Sequence, residues 1–130
     1  MELSELIRKA KEKGIDVEDV LLTPISKEDP SEGASIRLGI AEKFLNEAEE
    51  YIKEGDAVQA SENDYKVAEE VVKTLAEEFR LPEHDEALRE GRWTAYSIGK
   101  AADRLSERLG MWGVNGWSDA FYLHVWGFHE

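Results

Sequence analysis

Residues 57–79 read AVQASENDYKVAEEVVKTLAEEF. Ala57, Ser61, Tyr65, Ala68, Val72, Leu75 and Phe79 recur at steps of three and four residues. That spacing keeps them on one face of an α-helix, the pattern of a core-facing seam in a bundle. Pro82 follows, and a helix over about 57–80 is expected to end before it. Immediately upstream stand Gly55, suited to end a helix, and Asp56, suited to cap the next. So short a connection forces the helix before it to run antiparallel.

That preceding helix is expected over about 34–54. Ile36, Ile40, Phe44, Ala48 and Tyr51 form its stripe, with Ala41, Leu45 and Ile52 beside it. Glu42, Lys43, Glu47, Glu49, Glu50 and Lys53 fall on the other side. Working outward, residues 2–13 read as a short helix closed by Gly14. Asp16 caps a second, VEDVLL, expected to close at Thr23-Pro24. ISKEDPSEG, residues 25–33, reads as a turn-rich connection and an internal boundary. Past Pro82, Asp85 to Gly91 reads as a loose helical turn or two. Thr94 to Leu109 repeats a seam through Ala95, Ile98, Ala102 and Leu105. A last helix is expected from Ser118 to about Gly127, apolar nearly all round. The expected architecture is an all-α, up-and-down bundle of four to five helices in one domain, 1–130. Short helices and a turn occupy 1–33, and the bundle core 34–130.

Composition narrows the function classes. The 130 residues are 42% hydrophobic and 35% charged, with a net charge of -13. A chain this long can bury a core without staples. Its charge opposes phosphate backbones and anionic membrane surfaces, so nucleic acid is not expected as a partner. With no cysteine, thiol and thiolate–zinc chemistry are excluded. MELSELIRKAKEKG lacks the apolar run of a signal peptide, and no segment has the length of a membrane span; the expected location is the cytoplasm. High Glu and Lys on helices also suit a thermophile.

Few residues point to chemistry. His124 and His129 are five apart and do not share a helical face as a metal pair would, so no metal and no cofactor is expected. His84, between Glu83 and Asp85, reads as a solvated acidic corner. Arg92 precedes Thr94, which reads as a helix cap with Trp93 as its staple. Arg92 could otherwise hold an anion at that helix N-terminus. Gln59, Ser61, Glu62 and Tyr65 make a polar patch. Tyr65, Arg92, His124 and His129 are the candidate polar cluster, should the fold bring them together. Glu49-Glu50 and Glu69-Glu70 read as solvated surface. No phosphate-binding loop, zinc-protease motif or nucleophile elbow occurs.

The segment AEKFLNEAEEYIKEGDAVQASENDYKVAEEVVKTLAEEF (41–79), with GRWTAYSIGKAADRL (91–105) and LHVWGFHE (123–130), resembles the paralogous-repeat (PaREP-type) family of hyperthermophilic archaea. GIDVEDVLL (14–22) and DPSEGASIRLGIAEKFL (29–45) fit the same family. More remotely the chain is similar to the HEPN superfamily. That resemblance implies a small, often dimeric bundle, acting as an RNase or pairing with a nucleotidyltransferase. HEPN nucleases carry an arginine followed a few residues later by a histidine. Arg80 and His84 come nearest, but the spacing is short and Pro82 lies between them.

The expected function is therefore a non-catalytic interaction module that binds itself, as a homodimer, or a protein partner such as a nucleotidyltransferase. Trp117, Tyr122 and Trp126 are its expected interface, because one bundle face cannot cover a helix that is aromatic on two sides. The alternatives are a HEPN-type nucleotide- or RNA-acting enzyme and a small-molecule-binding bundle.

Overall fold

A computed structural model describes residues 1–109. Within them the chain is all α-helical, a bundle built on α1 (Leu3–Glu12), α2 (Val17–Glu28), α3 (Pro30–Lys53), α4 (Ala57–Glu78), α5 (Pro82–Glu90) and α6 (Ala95–Leu109). The α3–α4 hairpin forms as the Gly55–Asp56 reading predicts. Gly55 takes a left-handed φ of +81°, and the Asp56 side chain accepts a hydrogen bond from Gln59 N. Helix α2 packs back on α3, and α6 on α4. The apolar core lies between α4, α5 and α6, where Val72, Ala76, Leu81, Trp93, Ile98 and Leu105 meet.

Three expectations change. Helix α2 does not close at Thr23-Pro24 but runs through Pro24 to Glu28, so residues 25–33 are not a turn-rich boundary. An interior proline costs about 3 kcal/mol of helix propensity. Burial of Leu22, Thr23 and Ser26 holds the helix together across it. Helix α3 then starts at Pro30 rather than residue 34, with Asp29 accepting a hydrogen bond from Glu32 N. Proline is at home in a first helical turn, where its missing N–H is not needed. The same rule makes Pro82 the start of α5, a full helix where a loose turn was expected.

Arg80 is the only non-glycine residue with positive φ among those described, at 53°. It closes α4 as glycine does elsewhere: Leu81 N donates to Ala76 O and Arg80 N to Glu77 O. A β-carbon is disfavoured in that conformation, so Arg80→Gly should stabilise the fold by about 0.5–1 kcal/mol. Urea denaturation measures it. A variant no more stable than the parent would mean that the arginine side chain itself stabilises the junction.

Candidate functional site

Beneath the surface of α2, α3 and α4 lies a buried ionic cluster. Asp19 and Thr23 reach in from α2, Arg37 from α3, and Glu70 and Lys73 from α4. Arg37 and Lys73 are each 2% exposed, and Asp19 and Glu70 are buried with them. Arg37 donates to Glu70 Oε2 at 3.1 Å, to Asp19 Oδ1 at 3.3 Å and to Thr23 Oγ1 at 3.2 Å. Lys73 Nζ lies 3.3 Å from both Asp19 Oδ1 and Glu70 Oε1. The second oxygen of Asp19 accepts the backbone N–H of Trp93 at 2.7 Å, which ties in the turn between α5 and α6. Two cations thus face two deeply buried anions, with Asp16 at the rim, 3.9 Å from Lys73. Burial alone would lower the Lys73 pKa, but Glu70 and Asp19 outweigh it and hold the ammonium above its ordinary range. Every charged group in this cluster is engaged by another.

Above the cluster, between the α1–α2 turn and the α3–α4 hairpin, opens a cleft of about 530 Å³. Phe44 and Glu47 of α3 and Glu62, Lys66, Glu69 and Glu70 of α4 contribute to its walls. The Glu69 carboxyl is pushed up to about 7. Its burial is the main cause; Lys73 opposes the rise, and Asp16, Glu70 and Asp19 add to it. Glu69-Glu70 is therefore not the solvated pair expected: Glu70 is buried and Glu69 half-buried, whereas Glu49 and Glu50 are exposed.

On the opposite flank of α3, Leu38, Leu45 and Ile52 are 52%, 44% and 62% exposed. Leu45 and Ile52, expected beside the core stripe, belong to the surface. The buried seam is Gly33, Arg37, Ala41 and Ala48, which keeps Ala48 of the expected stripe and Ala41 beside it but leaves Ile36 37% exposed. With the seam so placed, Arg37 points inward and meets Asp19 and Glu70. Leu38, Leu45 and Ile52 recur every seven positions, so they form one line along the helix.

Of the candidate polar cluster, Tyr65 stands half-buried midway along α4, and burial with nearby Glu69 pushes its hydroxyl up to about 12. Arg92 is exposed in the turn before α6. Thr94 Oγ1 accepts a hydrogen bond from Ser97 N there, and Trp93 is buried. His124 and His129, and the interface candidates Trp117, Tyr122 and Trp126, lie outside the described residues, as does the helix expected from Ser118. His84 is not a solvated corner residue. It sits in the first turn of α5, half-buried, and burial holds its pKa below the ordinary value, with Asp85 opposing and Arg37 assisting. Arg80 and His84 stand on either side of the α4–α5 junction and share no helix. Among the described residues no group of three or more His, Asp or Glu could hold a metal ion, and no helix is long and apolar enough to cross a membrane.

Sequence reasoning missed Asp19, Arg37, Glu70 and Lys73. The one signal for them was positional: Arg37 falls in step with Ala41 and Ala48, at helical spacing on what proves to be the buried seam.

In comparison with known families, residues 36–130 match the model of the archaeal PaREP1/PaREP8 family. No curated protein and no solved structure matches.

Proposed function

The chain belongs to the archaeal PaREP1/PaREP8 family, and from that premise we propose that it is a non-catalytic helical interaction module that binds a second copy of itself. The observation that carries this reading is the line of Leu38, Leu45 and Ile52 along α3, all exposed. Single exposed leucines are ordinary, whereas a regular apolar line is the form in which one helix meets another. The aromatic residues expected at an interface, Trp117, Tyr122 and Trp126, would add to the contact. Against an enzyme, the deeply buried acids and bases neutralise one another, and Tyr65 and Arg92 arise from separate elements.

Light scattering at micromolar concentration tests the proposal. The parent is expected to be a dimer and Leu45→Glu a folded monomer with unchanged circular dichroism. A monomeric parent ends the reading. A dimeric Leu45→Glu protein together with a monomeric Trp126→Glu protein moves the interface to the aromatic segment. The HEPN resemblance favours a different partner, a nucleotidyltransferase. Its recovery in a pull-down with the intact protein would turn the module from self-binding to partner-binding.

A further inference from the structure

We propose that the line of Leu38, Leu45 and Ile52 on α3 is covered by α1 of a second copy, each copy giving one α1 and receiving one. This rests on the self-binding reading and adds to it the element that meets the line.

The apolar face of α1 has no cover of its own. Leu3, Leu6, Ile7 and Ala10 share one face of the helix. Among the described helices α1 packs only against α2, and none of its residues is buried. Leu3 and Leu6 are 72% and 55% exposed. One molecule therefore carries two unpartnered apolar faces at helical spacing, on separate elements. Their repeats agree: Leu3 and Ala10 are seven residues apart, as are Leu38 and Leu45. A ten-residue helix is about 15 Å long, enough to lie across two of the three positions on α3.

Charge decides between α1 and a second α3 as the occupant. Glu42 and Glu49 follow Leu38 and Leu45 by four residues, so they flank the line on the same face, and both are exposed. Among the described residues no ion pair reaches either. Two copies of α3 paired antiparallel about Leu45 would bring Glu42 beside Glu49 of the partner. Paired parallel, each glutamate would meet its own equivalent. Both arrangements set acid against acid. Residues 1–14 instead carry four basic and three acidic side chains, in a chain with 16 and 29. Arg8 is paired with Glu12 and Lys11 with Glu18. Lys9 and Lys13 follow Leu6 by three and seven residues, beside the apolar face, and no ion pair among the described residues takes them up. Docking of α1 on α3 thus sets these two cations against Glu42 and Glu49 while the leucines are covered.

Sedimentation velocity of the full chain and its variants tests the contact. Leu6→Glu is expected to weaken the dimer at least about a hundredfold, since two leucines per dimer lose their cover. Mixing separates the two arrangements. Leu6→Glu keeps the α3 line and Leu45→Glu keeps α1. Each alone should be a monomer, and an equimolar mixture should form a heterodimer through one intact contact. Pairing of α3 with α3 allows no such rescue. Charge gives an independent sign. Glu49→Lys should weaken the dimer roughly tenfold, and adding Lys13→Glu should restore it. With α3 on α3, Glu49→Lys would tighten the dimer instead. Circular dichroism checks each variant, and Glu49→Lys, at an exposed helix position, carries the test if Leu6→Glu does not fold. A dimeric Leu6→Glu protein, variants that do not combine, or a tighter Glu49→Lys dimer overturns the α1 contact and leaves the dimer reading standing. A monomeric parent ends both.

Discussion

Replacing Arg37 with leucine is expected to remove about 3–5 kcal/mol of folding free energy, the usual cost of breaking a buried ion pair from one side. The side chain is engaged by Asp19, Thr23 and Glu70 on two neighbouring helices. Its loss leaves Lys73 alone against two buried carboxylates. Water cannot take over the role without parting α2 from α3, because Arg37 and Asp19 are each 2% exposed. Urea denaturation of parent and variant measures the loss. The double variant Arg37→Leu, Glu70→Gln restores the charge balance and should recover part of it, a coupling of about 1–3 kcal/mol between groups in contact. A single-variant loss below about 1 kcal/mol would mean that solvent reaches the cluster and that it contributes little to holding the helices in register.

Gly33→Ala should be nearly as damaging, for a steric reason. Gly33 of α3 lies directly against Ser26 of α2. A β-carbon there would collide with Ser26 Oγ and lie 2.7 Å from Ser26 Cα. A side-chain oxygen can rotate away, but a backbone carbon cannot, so α2 must shift off α3. That shift would stretch the Arg37 hydrogen bonds to Asp19 and Thr23, one turn further along the same contact. The expected cost is about 2–3 kcal/mol. Adding Ser26→Gly should recover little, since Ser26 Cα stays in place. Gly39→Ala on the same helix is the control. Its β-carbon would meet nothing within 4 Å, and it should stabilise the helix by about 1 kcal/mol. A Gly33→Ala protein as stable as the parent would show that the α2–α3 approach is looser than described.

The α3–α4 hairpin was readable because its signals are local. Gly55 and Asp56 carry the turn within two residues, and the α4 seam repeats within each helical turn. Two N-terminal signals were equally local yet were read as breaks: Asp29-Pro30 and Leu81-Pro82. A proline in the first turn starts a helix, and a proline in the interior interrupts one. Which applies depends on what surrounds it. For Pro24 the answer came from the packing of Leu22, Thr23 and Ser26, which no local rule contains.

The candidate site was hardly legible. Glu70 and Lys73 look like any surface pair on an amphipathic helix, and Arg37 like a solvated charge. Their burial depends on Asp19, 18 residues from Arg37, and on Trp93 N, 74 residues from Asp19. A charge goes inside only where partners from other elements arrive to neutralise it. By contrast, the sequence alone determined the all-α class, the antiparallel turn at Gly55–Asp56 and the exclusion of thiol chemistry. Those follow from backbone hydrogen bonding, caps and side-chain inventory, each settled within a few residues. How far α3 is rotated about its axis was decided only by tertiary structure. That rotation buries Arg37 and exposes Leu45, and no local rule contains it, because the carboxylates that neutralise the guanidinium arrive from α2 and α4.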